Sequence, residues 1–149
     1  MQDIIFENVC KTYEKNTVID NLNLRVKKGE RLILLGPSGC GKSTTLRLIA
    51  GLEDITDGEL WIDGELCNYL ESKERDMSMV FQNYALFPHM SVLENVIYGL
   101  KFRGIRKKEA REMGMEYLKI VDMEEYAGAS IGEISGGQQQ RVALVRSLI

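Results

Sequence analysis

The chain has little that would tie it to a membrane, a disulfide frame or a nucleic acid. Its 149 residues contain three cysteines, Cys10, Cys40 and Cys67, odd in number, widely spaced and without a C-x-x-C pair. That pattern fits free thiols in a reducing compartment better than a disulfide framework or a zinc site. No apolar run approaches the about 18 residues that a spanning helix needs. The start, "MQDIIFENVCKTYEK", lacks the basic end, apolar centre and small-residue cleavage site of a signal peptide. A net charge of −3 argues against a nucleic-acid binder, which carries a basic face. There is a single histidine, His89, so histidine chemistry has one candidate. Hydrophobic residues make up 44% and charged residues 28%, which suits one globular domain able to bury roughly 70% of its unfolded surface.

The front third has the alternation of strands. "DIIFENVCKTY" predicts a first strand, and "NLNLRV" places Leu22, Leu24 and Val26 on one face. "KKGE" predicts a turn. "RLILL", residues 31–35, is a continuous apolar run too short for a helix and predicts a buried, parallel strand. "GELWIDGEL" predicts a hairpin turning at Asp63-Gly64, and "MSMVFQ" a further short strand ending at Gln82. Beyond residue 90 the pattern becomes helical. Ser91 and Glu94 have the spacing of a capping box. "KKEAREMGMEYLKIV" puts Ala110, Met113, Tyr117 and Val121 on one stripe, and a final helix is expected from about Gly137.

Between the "RLILL" run and a helical pattern lies Gly36-Pro37-Ser38-Gly39-Cys40-Gly41-Lys42-Ser43-Thr44, a full G-x-x-x-x-G-K-[ST] phosphate loop. Glycines at 36, 39 and 41 allow the backbone to turn successive N–H groups toward phosphate oxygens. The helix that follows adds its positive end. Lys42 supplies a mobile charge for the β- and γ-phosphates, and the Ser43 hydroxyl is placed to ligate Mg²⁺. Cys40 inside the loop is read as a small residue in a crowded turn.

With "RDMSMVFQNYALFPHMSVLENV" and "ISGGQQQRVAL" following in order, the chain closely resembles the ATP-binding subunits of prokaryotic ABC importers, and within them the sugar and polyamine subgroup. The resemblance runs from about residue 3 to the last residue. It implies an α/β P-loop NTPase fold of the ABC type, with a β-rich N-terminal subdomain, a P-loop core and a helical subdomain at about 83–134. Residues 1–149 would then be a partial domain, truncated before the Walker B strand. Tyr13 falls where the family stacks an aromatic on adenine, with Val18 packed beside it. Gln82 matches the glutamine that reaches Mg²⁺ and the attacking water. Ser135, Gly136, Gly137 and Gln138 match the signature that closes over ATP held by a second subunit, which implies a dimer. Ile134 stands where the family usually has leucine.

The resemblance further implies ATP and Mg²⁺ as ligands, transmembrane permease subunits as partners, and a cytoplasmic place on the inner face of the membrane. Tyr84, Phe87 and Met90 are candidates for the permease contact, or equally for local core. The Asp-Glu strand and switch histidine that hydrolysis requires in the family follow the signature, and neither is found here. "LWID" and "KIVDMEE" precede the signature and are read as a turn and a helix end; His89 lies before it too. The expectation is therefore an importer ATPase subunit represented without its hydrolytic half, or alternatively a nucleotide-binding module without turnover. "SGGQQQR" argues against a small kinase. An unpaired edge at "RLILL" is expected to make the isolated chain marginally stable, or dependent on a partner that supplies the rest.

Overall fold

The alternating front of the chain forms a long antiparallel pair, β1 (Ile4–Tyr13) and β2 (Asn16–Val26), joined by a tight turn. β3 (Asp57–Ile62) adds to the free edge of β1, and β4 (Glu65–Leu66) to β3, giving the order β2-β1-β3-β4. The hairpin between β3 and β4 turns at Asp63 and Gly64, both left-handed, as the Asp-Gly pair requires. In this computed structural model, residues 3–75 and 77–149 are described. They divide into two units, Met1–Met77 and Ser78–Ile149.

In the first unit, Phe6, Val9, Ile19, Leu60 and Ile62 build a core on one face of the sheet. Helix α1 (Lys42–Ile49) joins it through Leu48, whose complete burial is worth about 2 kcal/mol. Leu22, Leu24 and Val26 share one half-buried face of β2, as their alternation predicts.

Two expected strands are absent. Residues 31–35 and 77–82 have no strand structure, and Leu32, Ile33 and Leu35 are 41%, 70% and 87% exposed. An apolar run becomes a buried strand only if neighbours take up its backbone N–H and C=O groups. Among the described residues neither segment finds such a neighbour.

The second unit is helical: α2 (Val92–Ile97), α3 (Lys107–Ile120) and α4 (Gly136–Leu148) enclose Val92, Val96, Leu118, Met123, Val142 and Val145. α3 is rotated slightly from the expected stripe. Ala110, Gly114 and Leu118 are fully buried, while Met113, Tyr117 and Val121 are half-buried. Gly114 is the cause: a Cβ there would lie 2.7 Å from Leu93 Cδ1 and collide with Ile97, so the missing side chain lets α2 and α3 close up. α3 ends at Ile120, and Asp122 is left-handed, so "KIVDMEE" is a helix end and not a strand.

Candidate functional site

Residues 36–41 form an open loop that leads directly into α1. Gly36 and Gly41 have φ of 152° and 89°; a Cβ at Gly36 would sit 2.7 Å from Cys40 Sγ, and one at Gly41 3.1 Å from the Val18 carbonyl. Only glycine meets both demands, strained φ and close approach. The loop is held from inside. Lys42 folds back so that Nζ donates to the carbonyls of Gly36 at 2.7 Å and Pro37 at 2.6 Å, with Cys40 Sγ at 3.3 Å. Thr45, buried, donates its hydroxyl to the Gly41 carbonyl and so ties the first turn of α1 to the loop.

The amides of Gly39, Gly41, Lys42, Ser43 and Thr44 donate to no acceptor among the described residues. Five free N–H groups around a lysine ammonium and a helix N-terminus constitute an anion cradle. Ser43 is exposed beside them. Arg75 secures the other end of α1. It is 6% exposed, and its guanidinium donates to the carbonyls of Leu48 and Ile49 at 2.6 and 3.2 Å. Burial pushes its ionisation below the ordinary arginine value.

Val18, on β2, lies against the loop at Gly41. Tyr13 ends β1 at the hairpin and is 38% exposed. The Lys11 ammonium sits 4.7 Å from its ring centroid, anchored on the Asp54 carbonyl and Glu53. Tyr13, Val18 and residues 36–44 all belong to the first unit.

Gln82 and the signature residues belong to the second. Gln82 is exposed within a turn closed by Tyr84 N donating to the Phe81 carbonyl, rather than at a strand end. Ser135 caps α4: its Oγ accepts from Gln138 N at 3.3 Å, and Gln138 Oε1 accepts from Ser135 N at 2.8 Å. Accepting leaves the Ser135 hydroxyl proton free to donate outward. A Cβ at Gly136 or Gly137 would meet nothing within 4 Å, so nothing inside the chain requires glycine there.

Of the remaining candidates, Phe87 packs on Tyr98 in a tilted pair with centroids 4.6 Å apart, and the backbone of Tyr84 is left-handed. Met90 and His89 line a cleft of about 620 Å³ with Ile97, Tyr98, Ile105 and Ala110. Three functional-looking residues escaped the sequence reading: Arg75, Asn95 and Arg146. Asn95 is fully buried and bonds Phe87 N and the carbonyls of Phe87, Met90 and Ser91, fixing that loop. A polar residue on an otherwise apolar helical stripe was the available signal for Asn95 and Arg146; Arg75 lies in no periodic segment and had none.

A profile of the family described as "ABC transporter" matches residues 19–149. The Fe(3+) ions import ATP-binding protein FbpC of Vibrio cholerae is 54% identical over 146 residues, 98% of this chain and 42% of its own length. The protein of the same description from Escherichia coli K12 is 54% identical over 142 residues, 95% of this chain and 41% of its own length. A solved dimer of the ATP-binding cassette MJ0796 with ADP and Pi superposes with a TM-score of 0.87 at 38% identity, covering 97% of this chain and 68% of that one. The chain thus spans less than half the length of the curated relatives it matches.

Proposed function

The chain belongs to the ABC transporter family, and from that premise we propose that it is the nucleotide-holding part of an importer's ATP-binding subunit. Its fold is the α/β fold of the ABC ATPase cassette. The observation that carries the reading is the cradle of five unbonded amides around Lys42 at the start of α1. A triphosphate fits it by charge and by donor supply. Lys42 attracts the β- and γ-phosphates, the 39–44 amides bind their oxygens, and Tyr13 offers adenine the ring face not covered by Lys11.

Mg²⁺ fits with one condition. Among the described residues no group of three His, Cys, Asp or Glu can hold a metal. Ser43 supplies one neutral oxygen at the cradle, so the ion's remaining ligands would be phosphate oxygens and water, the usual arrangement for Mg²⁺ on a nucleotide. Bound there, it would neutralise charge on the phosphates.

The open space at Gly136 and Gly137 supports a partner's approach to the α4 N-terminus, with Ser135 donating and Gln138 completing the cap. We assign that partner as the nucleotide on a second copy, which makes the functional unit a dimer. Residues 83–134 are assigned as the helical subdomain. The cleft lined by Met90 and Tyr98, with Glu94, Lys101 and Lys107 also on its walls, suits a permease segment that carries both apolar and charged side chains, which would place the chain on the inner face of the membrane. No described helix is long and apolar enough to cross a membrane. For the solute, the relatives named above import Fe(3+), which favours ferric iron over the sugar and polyamine classes. Hydrolysis is assigned to the whole subunit, of which this chain spans less than half.

The test is ATP binding to the purified chain, wild type beside Lys42→Ala, with phosphate release followed in the same samples. Binding that falls at least tenfold in the variant, without release from either protein, is the expected result. Equal binding by both proteins would exclude the cradle as the site.

A further inference from the structure

A lysine is buried where β1 meets the segment that follows α1. Lys11 is 8% exposed and shares alternate positions of the strand with the core residue Val9 and with Tyr13. Burying an ammonium is costly unless partners replace its water. Lys11 has three. Its Nζ donates to the Asp54 carbonyl at 2.7 Å, pairs with a Glu53 carboxylate oxygen at 3.3 Å, and sits 4.7 Å from the Tyr13 ring centroid. Thr56 stitches the same segment to the strand. Its N–H donates to the Cys10 carbonyl and its hydroxyl accepts from Thr12 N, both at 3.0 Å. The ammonium is thus held on a bonded support, and the ring lies against a fixed charge.

Tyr13 has little else to hold it. It ends the strand, and its ring has no aromatic neighbour among the described residues. A platform for a planar base gains affinity when its orientation is fixed before the base arrives. A cation against one ring face supplies that restraint and leaves the opposite face open. It also draws ring density toward itself, which favours an electron-rich base on the open side. The anchor has a second connection: Glu53 lies 3.8 Å from Arg47 on α1, the helix whose first turn carries Lys42. Lys15 serves as a contrast, exposed in the turn just beyond Tyr13.

We propose that Lys11 is a positioning residue for the nucleobase: it fixes the Tyr13 ring with one face covered, so that a purine stacks on the other. Its anchor on Glu53 and Asp54 sets where that platform stands relative to the cradle at the start of α1. The inference rests on the proposed role of Tyr13 as the base platform, and adds what presents it. Lys11 touches neither base nor phosphate in this account; it acts through the Tyr13 ring.

Two ligands separate the base platform from the cradle: ATP, and inorganic tripolyphosphate, which carries the phosphates without a base. Their affinities for the purified chain are measured at one fixed Mg²⁺ concentration, and tripolyphosphate binding reports whether fold and cradle are intact. Lys11→Met is expected to lower ATP affinity about fivefold and to leave tripolyphosphate affinity unchanged. Lys11→Arg keeps a cation on the ring and should stay within about twofold of wild type. Lys15→Met removes an exposed charge from the adjoining turn and should match wild type. In a Tyr13→Ala background, Lys11→Met should lower ATP affinity no further. If Lys11→Met loses tripolyphosphate binding, the variant that also carries Glu53→Gln leaves no unpaired carboxylate and takes its place, with the same expected loss. Unchanged ATP affinity in whichever variant retains tripolyphosphate binding overturns the proposal, and so does loss of tripolyphosphate binding in both. A Tyr13→Ala variant with no selective loss of ATP overturns the role assigned to Tyr13 and this proposal with it. A selective loss in Tyr13→Ala that Lys11→Met does not share overturns the role of Lys11 alone.

Discussion

Arg75 donates five hydrogen bonds to the carbonyls of Leu48, Ile49, Cys67 and Leu70. Two of these close the C-terminal end of α1, where carbonyls lack intrahelical partners and the dipole is negative. The first turn of the same helix carries Lys42 and Ser43, so a side chain remote from the cradle sets the frame in which it is built. Arg75→Met is expected to cost about 3 kcal/mol, because buried carbonyls lose a charged donor and gain none. Urea unfolding followed by the fluorescence of Trp61 measures it; a loss below about 1 kcal/mol would mean that water replaces the guanidinium. Lys42 differs in kind. Its motif announces it in the sequence, whereas Arg75 is recognisable only from what surrounds it.

At the scale of elements, three helical starts among the described residues carry the same reciprocal cap built on a serine, Ser91 with Glu94, Ser130 with Glu133, and Ser135 with Gln138, and a fourth builds it from Glu71 and Glu74. The pattern spans four residues and needs nothing distant, which is why Ser91-x-x-Glu94 could be read before the fold was known. Its electrostatics give a pH dependence. The Ser91 backbone N–H, and then its hydroxyl, stabilise the Glu94 carboxylate and hold it below the ordinary carboxylate range. A depressed folded-state pKa stabilises the fold above the unfolded value and ceases to do so as pH falls through the folded one. The urea midpoint of wild type should therefore exceed that of Glu94→Gln at about pH 6, with the gap closing toward about pH 3. A gap independent of pH would assign the effect to hydrogen bonding alone. Helix α3 was less legible, because its rotation follows from Gly114 meeting Leu93 and Ile97 across an interface.

At the scale of the whole molecule, Ile33 and Leu35 stand in water. Leu32 is half-exposed beside them, so three apolar side chains of residues 31–35 face solvent. Together they are an adhesive surface. Ile33→Lys is expected to lower self-association, measured by light scattering over a concentration series, while leaving the far-UV spectrum unchanged. Equal scattering from both proteins would move the association elsewhere, to exposed Leu144 and Leu148 as the next candidates.

Whatever is encoded within a few residues was legible before the fold: the phosphate loop, the Asp63-Gly64 hairpin, the cap at Ser91 and the alternation along the first two strands. Each depends on local φ preferences, on side chains reaching their own backbone, or on strand period, and these forces do not consult the rest of the chain. Tertiary structure decided the remainder. Arg146 and the Tyr84 and Ala85 carbonyls to which it donates are 62 and 61 residues apart in the chain, and Arg75 finds the end of α1 across 26 and 27 residues. Residues 31–35 show the converse, since their apolar run specified a strand that no neighbour completes. A backbone hydrogen bond needs a partner in space, and spatial neighbours are set by the packed chain rather than by any one stretch of it.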